Sequence, residues 1–268
     1  MPIDTPILSD SEFRLFQKMI YDTAGINMSN AKKALVSGRL VKRLKYYGLS
    51  SYRDYFNLLS TAKEGELQIA VDLLTTNETF FFREEKHFDY MRNTILPGWH
   101  TGPRRIWSAA ASSGEEAYTL AMVTAEHSPT SAWEIIGTDI STRVLERARS
   151  AQYPIERAEN IPRNYLTKYC LKGIGVQEGT FIIIRSLRER VRFVHANLKD
   201  NLSKLGKFDL IFLRNVMIYF DMETKSGIIE RMLPMLRPGG YFVIGHSESL
   251  NGVTDKLNVV SPSIYRKK

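Results

Sequence analysis

The stretch Ile106-Trp107-Ser108-Ala109-Ala110-Ala111-Ser112-Ser113-Gly114-Glu115-Glu116 decides the fold. Ile106 to Ala110 reads as a buried strand, and Gly114 to Glu126 as a helix. The small residues between them let the backbone turn tightly and approach a ligand. In an open α/β sheet, ligands bind outside the carboxyl ends of the strands, at a switch point. The turn has one glycine and lacks the G-x-G-x-x-G spacing of dinucleotide enzymes. A pyrophosphate is poorly served by Glu115 and Glu116, whereas a ligand carrying a positive amine or sulfonium is served well. The same residues also read as an acidic helix N-terminus stabilised by the helix dipole.

Moving toward the C-terminus, Glu134 to Thr138 is a second strand, followed by a helix from Thr142 to Ser150. The strand runs out at Gly137-Thr138-Asp139-Ile140. An acid about 20–25 residues beyond a glycine turn is where such a sheet holds a ribose diol; Asp139 can equally cap the next helix. Phe208 to Leu213 reads as a third strand. It leads into Arg214-Asn215-Val216-Met217-Ile218-Tyr219-Phe220, where polar groups leave the strand end and Met217, Ile218 and Phe220 make apolar walls. An arginine in such a run is costly to bury alone, so Arg214 is expected to be functional or salt-bridged. Thr224 to Leu236 reads as a helix, Arg237 to Gly240 as a turn and Tyr241 to Gly245 as a strand. Strands alternating with helices argue for a mostly parallel sheet covered on both faces. Phe181 to Arg185, Val191 to Val194 and the loop Gly173 to Gly179 suggest a small antiparallel insertion, at about 160–195 of the chain.

Toward the N-terminus the period changes from strand to helix. Ser9 and Asp10 cap a helix carrying Phe13, Phe16, Met19 and Ile20, stopped by Gly25. Asn30 caps a second helix through Tyr47, ended by Gly48. A third follows Ser50 and Ser51, with Tyr52, Tyr55, Phe56 and Leu59 on one side. A fourth runs from Glu64 to Leu74. Pro97, Gly98, Gly102 and Pro103 mark a linker. The expected organisation is an all-helical domain over 1–92, a linker over 93–103 and an α/β domain over 104–268.

The 268 residues are ample for a core. Met1 to Asp10 has neither the basic start nor the apolar run of a signal peptide. Phe208 to Phe220, the richest apolar stretch, is short and interrupted by Arg214, so no membrane span is expected. Cys170 is the sole cysteine, which excludes an intrachain disulfide and fits a reducing cytoplasm. The net charge of +8 favours an acidic partner without choosing its kind. The histidines show no metal-type spacing with cysteine or carboxylates, so no metal is expected.

Three segments together carry a family resemblance: Thr76 to Glu84 (TNETFFFRE), Trp107 to Glu116 (WSAAASSGEE) with Thr138-Asp139-Ile140, and Arg214 to Phe220 (RNVMIYF) followed by Arg237 to Gly240. In this order, and over nearly the whole chain, they resemble the CheR family of chemotaxis-type protein-glutamate methyltransferases. The resemblance implies a helical N-terminal domain, a Rossmann-like sheet that binds S-adenosylmethionine (SAM), and a small β-subdomain inserted in it. It implies SAM contacts from Asn77, Thr79, Arg83, Glu115, Asp139, Asn197, Leu198, Arg214 and Asn215. Asp139 takes the ribose hydroxyls, Asn197-Leu198 lie where the adenine is read, and Arg83 and Tyr219 lie near the reacting methyl as catalytic residues. The implied substrate is a glutamate on the cytoplasmic helical bundle of a chemoreceptor, and the implied product is S-adenosylhomocysteine. The enzyme is then a cytoplasmic monomer that meets the membrane only through its receptor.

The second helix offers a surface for that acidic bundle. Lys32, Lys33, Arg39, Lys42, Arg43 and Lys45 occur there with no acid between Ala31 and Tyr47, and Arg39, Lys42 and Arg43 are expected to bind substrate. A solvated helix face is the simpler reading of the same charges. Relatives also bind a receptor C-terminal peptide by strand addition at the β-subdomain. Gly173-Ile174-Gly175-Val176 lies in the matching loop, with valine where some relatives have proline. A nucleic-acid methyltransferase is the main competitor. Against it, Arg214-Asn215-Val216-Met217 replaces the Asn-Pro-Pro-Tyr type motif, and Cys170 lacks the Pro-Cys context of cytosine enzymes. A non-catalytic SAM-binding or docking module is the other alternative.

Overall fold

The computed structural model describes residues 6–61, 65–99 and 102–268. The chain forms two compact units. One comprises Met1–Thr76 with Tyr219–Thr224, the other Asn77–Ile218 with Lys225–Lys268. Residues 77–92, read from sequence with the helices, thus fall in the second unit.

The first unit is helical. In α1 (Asp10–Ala24) Ser9 and Glu12 form a reciprocal capping box, and Gly25 closes the helix at φ 74°, a left-handed conformation that glycine adopts without steric cost. A 3-10 turn at Asn30–Lys32 leads into α2 (Lys33–Tyr47), which buries Val36, Leu40 and Leu44. α3 (Tyr52–Thr61) and α4 (Glu66–Leu74) complete the unit; the expected start of the fourth helix, Glu64, lies outside the described residues. Phe16 is the hub of the core, its ring meeting Tyr52, Tyr55 and Phe56 at 6.5, 6.3 and 5.7 Å. Tyr219 and Asp221 join this unit: the Asn27 N–H donates to the Tyr219 carbonyl at 2.8 Å, and the Tyr21 hydroxyl to Asp221 at 2.7 Å.

The second unit opens with a loop and α5 (Lys86–Tyr90), which continues through a π turn to Leu96–Gly98. Leu96 and Trp99 are buried, so this part of the expected linker is core; His100 and Thr101 lie outside the described residues. Then follow β1 (Arg104–Ala109), α6 (Glu115–His127), β2 (Trp133–Asp139), α7 (Thr142–Ser150), β3 (Gln152–Pro154), α8 (Arg163–Tyr169), β4 (Cys170–Lys172), β5 (Thr180–Ile183) and α9 (Arg185–Arg188). β6 (Val191–His195), β7 (Phe208–Leu213), α10 (Met222–Met232), β8 (Leu236–Ile244), β9 (Leu257–Ser261) and β10 (Ile264–Lys267) complete the chain. Among the described residues seven strands form one sheet in the order β6-β2-β1-β7-β8-β10-β9, parallel except for β10, which runs antiparallel to β8 and β9. β2 lies on one side of β1 and β7 on the other, so the strand order reverses at β1 and the carboxyl ends of β1, β2 and β7 flank the crevice. β3, β5 and β4 form a separate antiparallel sheet.

Three expectations need correction. Val191–Val194 is not part of the insertion: β6 pairs parallel with β2 at the edge of the large sheet, from Ile135↔Val191 to Asp139↔His195. Its alternating burial is common to an edge strand and a hairpin, and only the distant partner distinguishes them. The insertion's strands instead span 152–183. The helix expected to reach Leu236 ends at Met232, because Pro234 cannot donate in a continuing helix. The Arg237–Gly240 turn is absorbed into β8, whose register against β7 slips between Phe208 and Leu210.

Candidate active site

The turn after β1 is built by exceptions to ordinary backbone geometry. Ala110 and Ser112 stand at φ 61° and 49°, in the left-handed region that costs L-residues about 1–2 kcal/mol each. Local bonds offset this. The Ala111 N–H donates to the Thr138 carbonyl at 2.8 Å, the Ser112 N–H to Asp139 Oδ2 at 2.9 Å, and Ser112 Oγ to the Asn77 carbonyl at 3.0 Å. Phe82, Glu84 and Asn215 are also left-handed, at 57°, 58° and 57°. Such strain gathers where a fold over-determines a functional loop.

Asp139 ends β2 and is buried. Its second oxygen accepts the Ser141 N–H at 2.9 Å, so the acid ties the start of the next helix to the β1 turn. The segment carrying Asn197 and Leu198 is tied alongside, since the Ala196 N–H donates to the Asp139 carbonyl at 3.0 Å. Glu115 opens α6 at 1% exposure and accepts from Ser113 Oγ at 2.7 Å; burial pushes its carboxyl above the usual range. Thr79 is buried, and its carbonyl accepts from Arg157 at 2.5 Å.

Arg214 proves salt-bridged. Its guanidinium donates to Glu116 and Glu84 at 3.0 Å each and to the Arg83 carbonyl, with the side chain 2% exposed. Burial opposes ionisation of Glu84, but Asn215 Nδ2 and Arg214 outweigh it and hold the carboxyl at about 2. Burial, reinforced by Arg214 and His246, pushes the neighbouring His87 down to about 3. Glu84, His87 and His246 bring three ligand-type atoms within 4.8 Å of one another. The Glu84 oxygens accept from Arg214, Asn215 and the His246 N–H, so the Arg214 guanidinium answers this charge. Arg83 itself is half-buried; it donates to the Glu78 carbonyl at 3.0 Å and lies 5.6 Å from the Phe80 ring centre.

Glu248 organises the loop after β7. One oxygen accepts the Asn215 and Gly245 N–H groups at 2.9 and 2.7 Å, the other those of Met217 and Ile218 at 2.8 and 3.3 Å. Sequence reading missed Glu84, Glu248 and Arg157, and it read Glu116 as facing a cationic ligand, whereas Glu116 pairs with Arg214. Glu84 and Glu248 carry a weak signal, since each stands inside or beside a motif; Arg157 carries none.

Asn77, Thr79, Arg83, Glu115, Asp139, Asn197, Leu198, Arg214 and Asn215 all belong to the second unit. Tyr219, Arg39, Lys42 and Arg43 belong to the helical unit. There, Arg39 donates to the Leu73 and Thr75 carbonyls at 2.9 Å each, at the end of α4. Arg43 makes a two-pronged pair with Glu66 at 2.8 and 2.5 Å, and Glu66 also accepts from Tyr47 and Tyr55. Burial opposes ionisation of Glu66, yet these donors hold its carboxyl below the usual range. The two arginines expected on a free surface are thus committed to the fold, whereas Lys42 is exposed.

The donor set suits SAM. A buried carboxylate oriented by backbone N–H groups matches a ribose diol, and a second buried carboxylate matches a cationic centre. A family model described as "CheR methyltransferase, SAM binding domain" matches residues 77–266, and one described as "CheR methyltransferase, all-alpha domain" matches residues 11–75. The chain is 39% identical to a chemotaxis protein methyltransferase of Escherichia coli (strain K12), over 96% of this chain and 91% of that one. It is 38% identical to one of Borreliella burgdorferi, over 97% and 95%, and to chemotaxis protein methyltransferase 2 of Pseudomonas aeruginosa, over 99% of each. Among the described residues no helix is long and apolar enough to cross a membrane. Both family domains in their order, and relatives matched along nearly the full length, lead to one conclusion: the chain belongs to the CheR methyltransferase family and is a SAM-dependent methyltransferase.

Proposed function

We propose that the chain methylates glutamate side chains on the cytoplasmic helical bundle of a chemoreceptor, giving glutamyl methyl ester and S-adenosylhomocysteine. The match of the whole chain to chemotaxis protein methyltransferases carries this reading, because a methyltransferase sheet alone would leave the acceptor open. SAM supplies an electrophilic methyl group on sulfur. A glutamate carboxylate, with a reference pKa of about 4.3, is already ionised at neutral pH. Its oxygen bonds to the methyl carbon as the carbon–sulfur bond breaks; the bonding pair stays on sulfur and no proton moves. The chain then needs no general base. What it must supply is alignment and exclusion of water, and alignment contributes up to roughly 7–11 kcal/mol.

Within this reading Asp139 holds the ribose, Asn197 and Leu198 the adenine, and Asn77, Thr79, Glu115, Arg214 and Asn215 the rest of the cofactor. Arg83 orients the acceptor carboxylate by a charge-assisted contact. Tyr219 shapes the methyl channel and donates a hydrogen bond to it. On α2 the exposed Lys42 and Lys45 meet the acidic receptor helices, while Arg39 and Arg43 hold the helix that presents them. Among the described residues β4 pairs with β5 on one side only, and Leu171, Ile174 and Val176 beside it are 58%, 82% and 99% exposed, which supports addition of a receptor C-terminal peptide as a strand. The protein works in the cytoplasm and reaches the membrane through its receptor.

The test is incubation with methyl-labelled SAM and receptor-containing membranes, followed by assay of base-labile methanol. Label released by base from a receptor band supports carboxyl methylation. Base-stable label would assign the methyl to nitrogen or carbon and overturn the reading.

A further inference from the structure

Arg157 stands in the 3-10 turn Ile155–Ala158, immediately after β3 of the small sheet. Its Nη1 donates to the Thr79 carbonyl at 2.5 Å and lies 3.4 Å from Glu115 Oε1. Both partners belong to the cofactor crevice, yet the arginine comes from the insertion. Its side chain is 47% exposed against 1% for Glu115. Among the described residues its Nε and Nη2 make no hydrogen bond, so two donors of the guanidinium fork remain available. Of the other two site arginines, Arg214 is spent on Glu84 and Glu116, and Arg83, which donates to the Glu78 carbonyl, is assigned above to the acceptor carboxylate.

The methionine end of SAM carries an α-ammonium and an α-carboxylate on one carbon. A site that receives it needs an acid and a base side by side. The geometry points to Arg157 as the residue that binds the SAM α-carboxylate, with Glu115 beside it taking the α-ammonium. The guanidinium fork matches a carboxylate with two parallel bonds. Glu115 is 1% exposed, and burial raises its carboxyl even with Arg157 at 3.4 Å, so an incoming ammonium adds charge that the acid can use. The assignment also gives the small sheet a second role, because its first strand carries a cofactor ligand into the crevice. It rests on the placement of SAM proposed above.

The experiment is equilibrium binding of SAM and of decarboxylated SAM, which lacks only the α-carboxylate, to the full chain and its variants by titration calorimetry. Arg157→Ala should weaken SAM about 10- to 100-fold, as expected on losing a charge-assisted contact. The same variant should bind decarboxylated SAM within about twofold of the parent chain, which also shows that the crevice remains folded. Arg157→Gln, which keeps a donor for the Thr79 carbonyl, should reproduce the selective loss and serves if the alanine variant does not fold. Equal weakening of both ligands by Arg157→Gln would reduce Arg157 to a strut for Thr79, and no change in either would remove it from the site. Asp139→Asn separates the two levels: if it leaves both affinities intact, the cofactor placement itself fails, whatever Arg157 does.

Discussion

Replacing Glu84 by Gln keeps the size of the side chain and removes the charge facing Arg214. The Arg214 side chain is 2% exposed and that of Glu84 16%, so solvent does little to screen the pair. The Glu84 carboxyl is held at about 2 against an ordinary value of 4.5. At 1.36 kcal/mol per pKa unit, that depression corresponds to about 3 kcal/mol favouring the charged form. Breaking a buried pair costs about 3–5 kcal/mol in general; Glu116 remains as a second partner for Arg214, which places the expected loss near the lower end. The sign follows from the direction of the shift. A carboxyl depressed in the folded state stabilises above its unfolded pKa, and that stability is lost as pH falls from about 4.5 toward about 2. Urea unfolding of both proteins should therefore show Glu84→Gln less stable by about 3 kcal/mol near pH 7, with the gap narrowing below about pH 4.5. A gap under about 1 kcal/mol at neutral pH, or one that stays constant down to about pH 3, would refute the view that Glu84 is the ionised partner of Arg214.

Other outcomes follow from the same geometry. Gly245→Ala places a Cβ 2.7 Å from Asn215 Nδ2, 2.9 Å from Glu248 Oε2 and 3.0 Å from the Asn215 nitrogen, so the loop after β7 must shift; SAM affinity should fall at least tenfold, measured by calorimetry. Asp139→Asn keeps one acceptor but removes the charge and one of the two backbone anchors, and should weaken SAM by about 1–3 kcal/mol in the same assay. Arg43→Ala leaves Glu66 buried without its cation and should lower stability by about 3–5 kcal/mol in urea unfolding. Lys42→Glu should leave stability within about 0.5 kcal/mol, because the residue is exposed, while raising receptor KM in the methanol-release assay.

Local chemistry makes much of this molecule legible from sequence. The cap at Ser9 and the stop at Gly25 are short-range patterns, and they lie where the structure has them; the partner that closes the capping box is Glu12. The strand–turn–helix from Ile106 onward is equally local. Asp139 is legible because its spacing from the turn reflects one strand and one helix of standard length. Glu248 and Arg157 are beyond such reading. Glu248 acts on backbone N–H groups about 30 residues earlier in the chain, and Arg157 on Thr79, 78 residues away. No periodicity encodes such pairings.

The basic face of α2 shows the same division. Sequence determined that Lys33, Arg39, Lys42, Arg43 and Lys45 share one helix, and that Arg214 at the end of an apolar strand needed a partner. Only the tertiary structure decided that Arg39 closes α4, that Glu66 neutralises Arg43 and that Glu84 and Glu116 are the partners of Arg214. It likewise moved Val191–Val194 from the antiparallel insertion to the edge of the large sheet. Sequence dictates which charges and apolar faces exist along each element. Which charge is neutralised and which strand edge is filled depends on burial and on distant partners, and those are set only when the elements pack.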